Sequence, residues 1–427
     1  MSKKNKRALK QRVSAHSVER HHMALAAARL RTEKKTQEQI SKFLDRSQAD
    51  VSRLLDFAKS KGWYEDQPRL KMENIPPEDW YTTEQKYFVD FDLGEICRHW
   101  APGGMKVDIR IFPSTPPHLS DFFNLAATRL LQLIHRCRTF GVMYGYNVHQ
   151  LKDALSERQL HMNKTHDPNF VVVPLCGDPT HMINTEWVQY TASNLAANFY
   201  EILTGESAKG KHTLRGVPAY TARHFTLTGE EGELGSLQSF IHSIPGYQYI
   251  FGGPSGSAPS GSDEDLPLIH KLDGLITGTG IIQPDTKTIE NVRATFIRER
   301  LEQETGLPLD YLRELIHGDL GGVLIEKDGL GKRDLKMVQD LNKCWVGMTQ
   351  QHLKNIAAQA NATKNKALVG KHDESMPGVI LMAYEAAKAE MIKVLIQRGF
   401  INHLIINDDL AGALKTLGER DLPSTKK

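Results

Sequence analysis

Apolar residues recur at helical spacing through the first sixty positions and in short continuous runs further on, and this change divides the chain. Over 18–31, Met23, Ala26, Ala27 and Leu30 fall at i, i+3, i+4 and i+7 and predict a helix with one apolar face. Thr36 to Gln39 has the Thr-x-x-Gln form of a capping box, which opens a short helix with Ile40, Phe43 and Leu44 inward. Asp45 and Arg46 read as a tight connection and Ser47 as the cap of a third helix. Val51, Leu54, Leu55 and Ala58 form its buried stripe, which ends near Ser60–Gly62.

From about 119 the pattern changes. Leu119–Arg136 predicts a helix and Thr139–Tyr144 a strand, followed by a turn at Gly145 and a helix from Asn147. Phe170–Leu175 predicts a buried strand, then a turn at Gly177–Pro179 and a helix over Thr185–Leu203. Leu272–Thr277, Gly322–Ile325, Gly378–Met382 and His403–Ile406 predict further strands, with a helix over Tyr384–Gln397 between the last two. Strand–turn–helix repetition of this kind specifies a doubly wound, mainly parallel α/β sheet. Ligands of such sheets bind beyond the carboxyl ends of the strands. Between the two regions, Pro68, Pro76, Pro77, Pro102, Pro113, Pro116 and Pro117 interrupt any long helix, and only Val107–Phe112 alternates like a strand. The expected organisation is a basic flexible arm over 1–17, an all-α unit over 18–66, a connector over 67–117 and an α/β unit over 118–420.

Charge sharpens this division. Residues 1–70 hold 17 Lys and Arg against 8 Asp and Glu, whereas the remainder holds 37 against 43. A basic head on a mildly acidic body suits a polyanion-binding module joined to a separate sensing or assembly domain. At 427 residues, 40% apolar and 25% charged, the chain has the composition of a soluble globular protein with more than one core. It carries no apolar run of bilayer length and no secretory signal at its start, so a cytoplasmic location without membrane contact is expected. Cys97, Cys137, Cys176 and Cys344 lie far apart, which argues for reduced, mostly buried thiols rather than a thiolate zinc site. His16, His21 and His22 lack a carboxylate or thiol at metal-ligand spacing and read as solvated side chains, and no cofactor is implied. The Gly- and Ser-rich stretch 252–265 lacks the spacing of a phosphate-binding P-loop and reads as a surface loop.

Three short helices with a tight turn between the second and third make a helix-turn-helix, whose third helix lies in the major groove of double-stranded DNA. Gln48, Asp50, Ser52 and Arg53 fall off the apolar stripe of that helix, behind its cap Ser47. There Gln48 suits adenine, and Arg53 suits guanine or a phosphate. Thr36, Gln37 and Lys42 of the second helix are placed to meet the DNA backbone.

Thr36–Leu44 (TQEQISKFL) and Ser47–Leu55 (SQADVSRLL) together resemble the DNA-binding segment of the SorC family of sugar-responsive transcription regulators. Asp50 stands where that family usually has Thr, which implies a different operator sequence. The resemblance continues through His118–Glu157, Phe170–Glu201, Asp273–Gly280, Gly318–Gly321, Leu341–Ile356 and Val379–Leu414, the last including Lys388 and Gly399–Asn402.

It implies a sugar-binding domain with the fold of ribose-5-phosphate isomerase and glucosamine-6-phosphate deaminase. It also implies a homodimer or homotetramer on the operator, and no catalytic residues. The effector loops it implies are Gly145, Tyr146 and Asn147; Gly177 and Asp178; Gly278, Thr279 and Gly280; and Asp319, with Lys388 as the cation for a sugar or sugar phosphate. Two departures fill space at the mouth of such a pocket. Tyr146–Asn147 replaces a small hydroxyl residue, and Tyr384–Glu385 replaces a Gly-Gly pair and sets a carboxylate against any phosphate. Two alternatives stand beside this reading. One is a sugar-phosphate isomerase or deaminase of the same fold with Asp319 and Lys388 as its acid/base pair; the other is a scaffold whose sensing pocket has degenerated.

Overall fold

The computed structural model describes residues 19–32, 35–64, 74–76, 79, 83, 90–112, 119–159, 169–178, 185–207, 214, 217–219, 239–252, 266–281, 307–367 and 376–421. The arm 1–17, most of 65–89 and the Gly/Ser stretch after Gly252 lie outside these residues. The chain divides into two compact units, Met1–Asp90 and Phe91–Lys427.

Among its described residues the first unit has helix α1 over 19–32, α2 over Gln37–Leu44 and α3 over Gln48–Ser60. Local capping chemistry fixes their limits. Thr36 Oγ1 accepts from the Gln39 amide at 3.2 Å, and Gln39 Oε1 accepts from the Thr36 amide at 2.9 Å, closing the expected capping box. Asp45 ends α2 in the left-handed conformation at φ 51°, which turns the chain sharply before Ser47 caps α3. Ile40, Leu44, Val51, Leu54, Leu55 and Ala58 meet in one core with Trp63, Tyr64 and Ile75.

Three expectations need correction here. Every residue of α1 from Ala24 to Leu30 is buried, Arg29 included, so this helix is covered on more than the single face its spacing suggested. Phe43, expected inward, is 49% exposed. His21 and His22 are not solvated. His21 packs its ring 5.0 Å from Phe57 and 5.6 Å from Trp63, and buried His22 meets Asp79 at 3.4 Å.

The second unit is built on a six-stranded parallel sheet. Its strands are β1 (Asp108–Phe112), β2 (Thr139–Val142), β3 (Val171–Pro174), β4 (Gly274–Thr277), β8 (Gly378–Ala383) and β9 (His403–Asn407). Their order in space is β1-β9-β8-β4-β2-β3, every pairing parallel. Successive residues of the central strands feed opposite cores. Leu275, Val379, Leu381, Leu404 and Ile406 enter one, and Ile276, Ile380, Met382 and Ile405 enter the other. This double burial is why the strands read as unbroken apolar runs. The mainly parallel α/β architecture expected from the sequence is what the chain adopts.

Two features were not anticipated. Helix α4 (Phe91–Trp100) places Leu93, Ile96, Cys97 and Trp100 in the first of those cores, and β1 forms the sheet edge. The connector expected over 67–117 therefore gives way, from Phe91, to part of the α/β unit. Second, Val323–Glu326 is not a strand of the parallel sheet. As β7 it pairs antiparallel with β6 (Ile316–Leu320), which pairs with the short β5 (Thr279–Gly280). This small sheet has its own core of Leu312, Leu315, Ile316, Leu324, Val338 and Leu341.

Several motif residues join these parts. Asp273 Oδ2 accepts from the Arg138 and Thr139 amides at 2.7 and 2.9 Å. Asn342 pairs through its amide group with both the N–H and the carbonyl of Leu324, each at 2.9 Å. Buried Asn402 accepts from the Val379 amide at 2.8 Å and donates to the Ala357 carbonyl at 3.0 Å. All four cysteines are buried and outside any disulfide, and burial pushes the Cys97 thiol up to about 12.

Candidate functional site

On α3 the expected DNA-facing residues lie off the buried stripe, with Arg53 opposite it. Gln48 and Arg53 are exposed, and Asp50 and Ser52 are half-buried. Ser47 Oγ accepts from the Asp50 amide at 3.1 Å and donates to Asp50 Oδ2 at 2.7 Å. Arg53 Nη1 donates to Asp50 Oδ1 at 3.3 Å. The Ser47 hydroxyl, with the charges of Arg53 and Arg46, holds the Asp50 carboxyl below its ordinary value. Thr36, Gln37 and Lys42 are exposed along α2, with Lys42 paired to Glu38 at 2.9 Å.

In the α/β unit, β2 runs outward to β3, and the chain then returns across it to β4. The carboxyl ends of β2 and β4 therefore flank the switch point where doubly wound sheets open a ligand crevice. Beyond β2, Gly145 at φ 139° turns the chain into α5 (Tyr146–Gln159), and its amide donates to the Tyr190 carbonyl at 3.1 Å. The rings of Tyr146 and His149 lie 5.7 and 4.9 Å from that of Tyr190. Burial pushes the His149 imidazole down, against a smaller opposing pull from Asp153.

Beyond β4, a Cβ on Gly278 would sit 3.9 Å from the Cβ of Asn147 and 4.0 Å from its Nδ2, so the first and third expected loops touch. Buried Asp319 faces Gly280 across the β5–β6 ladder. Its Oδ2 accepts from the Gly322 amide at 2.7 Å, and its carbonyl accepts from Thr279 Oγ1 at 2.8 Å. The hairpin tip then closes over the strand ends. The Gly321 amide donates to the Gly278 carbonyl at 3.2 Å, and a Cβ on Gly321 would lie 2.6 Å from Met143 Cε.

The other two expected elements sit differently. The Gly177 amide donates to the Val346 carbonyl at 2.9 Å and the Asp178 amide to the Val217 carbonyl at 2.7 Å, so neither N–H is open to a phosphate. A side chain on Gly177 would meet the Pro218 carbonyl at 2.5 Å. Lys388 is buried in the turn after β8, 3.5 Å from Glu385 and 5.5 Å from the centre of the Tyr384 ring. Tyr384 itself packs on Phe122 and Phe123 at 5.9 and 5.8 Å. The carboxylate of Glu385 thus offsets the cation assigned to a phosphate. Sequence reading missed His149 and Tyr190; the one available signal was the position of His149, one helical turn beyond Gly145.

Among the described residues, no group of three or more His, Cys, Asp or Glu is placed to hold a metal ion, and no helix is long and apolar enough to cross a membrane.

No family profile and no curated protein sequence matches the chain. Solved structures that it is similar to are transcription regulators of the SorC and DeoR type and their sugar-binding domains. One is the full-length sorbitol operon regulator SorC of Klebsiella pneumoniae, at 17% identity and a TM-score of 0.47, covering 92% of this chain and 99% of that one. A probable sor operon regulator from Shigella flexneri gives 15% and 0.46, covering 76% and 98%. A transcriptional regulator from Streptococcus pneumoniae gives 15% and 0.45, covering 78% and 98%. At these scores the functional reading has to rest on the residues of this chain.

Proposed function

We propose that this protein is a transcription regulator that grips a double-stranded DNA operator through α3 and releases or engages it in response to a sugar or sugar phosphate. The observation that carries the reading is the capped third helix, with Gln48, Asp50, Ser52 and Arg53 off its buried stripe, in the basic part of the chain. A helix so placed reads base edges in the major groove, and the exposed residues of α2 meet the phosphates. Each helix-turn-helix covers one half-site, so a homodimer or homotetramer on a near-palindromic operator completes the assembly. The arm 1–17 adds salt-sensitive, non-specific affinity.

The effector occupies the crevice bounded by Gly145–Asn147, Gly278–Gly280 and Asp319, where hydroxyl groups meet amide and carboxylate partners. Its occupancy shifts the population between operator-competent and incompetent forms, and DNA in turn changes effector affinity by the same factor. The isomerase or deaminase alternative draws no support from Asp319, whose carboxylate serves a turn amide, or from Lys388, which pairs with Glu385.

The test is binding of the full-length protein to DNA from upstream of its own gene against scrambled DNA of equal length, at two salt concentrations. Sequence-selective, salt-weakened binding that drops on Arg53→Ala supports the reading, and sugars and sugar phosphates are then screened for release. Equal weak binding to both DNAs overturns it.

A further inference from the structure

The half-buried Asp50 and the exposed Arg53 stand on α3 with the cap Ser47 behind them, at i, i+3 and i+6, so each neighbours the next along the helix. Both carboxylate oxygens of Asp50 are engaged within the chain. Oδ2 accepts the Ser47 hydroxyl at 2.7 Å and Oδ1 accepts Arg53 Nη1 at 3.3 Å. Building on the regulator reading above, we propose that Asp50 is a positioning residue for Arg53, holding its guanidinium so that the free edge reads one guanine of the operator.

Three physical points support this. A carboxylate facing DNA is repelled by phosphates, but Asp50 faces it already paired with a cation on its own helix. A guanidinium is a planar fork, and one nitrogen given to a carboxylate leaves others for the O6 and N7 acceptors of guanine. Fixing the fork before binding reduces the rotamer freedom lost on contact. The arrangement starts from Ser47, which is itself fixed as the cap of α3 by the Asp50 amide at 3.1 Å. A direct contact from Asp50 to the amino group of cytosine is the competing role, and it would share an oxygen with Ser47 or Arg53.

The experiment is selection of bound sites from a random DNA library by the full-length protein, followed by binding measurements on the selected site and on scrambled DNA. The proteins are the wild type, Asp50→Ala, Asp50→Asn, Arg53→Ala and the Asp50→Ala/Arg53→Ala double variant. The wild type is expected to select a guanine at one half-site position. Arg53→Ala should erase that preference, with a loss of about tenfold or more. Asp50→Ala should relax the same position by about two- to tenfold, while affinity for scrambled DNA holds or rises. In the Arg53→Ala background, Asp50→Ala should add nothing further. Asp50→Asn keeps one acceptor oxygen, for Ser47 or Arg53, and should fall between.

Additive losses from the two alanine variants, or loss of preference at a different base for Asp50→Ala, would overturn the positioning role while leaving the regulator intact. A wild type that selects no sequence overturns both. Equal thermal stability of Asp50→Ala and wild type, read alongside, excludes a general loss of α3 as the cause.

Discussion

On α3, Gln48, Asp50, Ser52 and Arg53 lie at or near the surface and interact with one another or with solvent; in the crevice of the α/β unit, Asp319, Thr279 and Gly321 are tied to the backbone beneath them. The difference lies in what each set of residues is asked to hold. The α3 residues hang from a helix whose position is set by Val51, Leu54, Leu55 and Ala58, so they are free to change without disturbing the core. The crevice residues form the crevice and also hold the second sheet against the first. Substitution at the crevice should therefore cost stability before it alters binding, whereas substitution on α3 should alter binding at no cost in stability.

The largest effect is expected at Gly322. It adopts φ 98°, and a Cβ there would lie 2.1 Å from the Trp345 ring, so Gly322→Val should destabilise the α/β unit by about 4 kcal/mol or more. Thermal unfolding would show this as a lost or strongly lowered transition, and a near-native transition would contradict the closed hairpin. Asp319→Ala should come next, at about 1–3 kcal/mol, because it strips the Gly322 amide of its buried acceptor. Chemical denaturation measures it, and a neutral result would mean that the carboxylate does not hold the turn.

A smaller effect follows from pH. Burial is the main cause that pushes His149, His317 and His352 down, so their neutral forms are favoured in the folded chain. The unfolded chain then binds more protons as pH falls through the ordinary imidazole range. The stability these groups contribute is fully present above about 6.5 and is lost as pH falls toward their lowered values. The melting temperature should hold steady from pH 8 to 7 and decline below about 6.5; a rise over that interval would reverse the assignment. The smallest change in stability is expected from Arg53→Ala, within about 0.5 kcal/mol of wild type, although DNA discrimination is lost. A large drop in its melting temperature would remove the contrast between the two sites.

The first unit was legible because its signals are local. Thr36 with Gln39 and Ser47 with Asp50 act over three residues, and both caps form where spacing placed them. Phe43 misled because it sits within one residue of the buried Leu44, and periodicity over an eight-residue helix separates the two weakly. The parallel strands were visible as apolar runs, but the same property hid the second sheet. Val323–Glu326 is as apolar as its parallel counterparts, and only the distant partner Ile316–Leu320 makes it antiparallel. Prolines on either side of Phe91–Trp100 concealed a helix whose apolar face is completed by residues far along the chain, Leu410 and Leu414 of the same core among them. In the crevice the glycine turns were legible. The engagement of Gly177 and Asp178 was not, because it depends on Val217 and Val346 arriving in space.

Only Gly278 separates β4 from β5, so the chain passes from the parallel sheet to the antiparallel one without slack. The two sheets are in this sense gears on one shaft. The Gly278 carbonyl is also gripped by Gly321 from the hairpin tip, so the shaft is pinned on both sides. A molecule that wedges between Asn147 and Gly278 would press on the one residue that joins the two sheets.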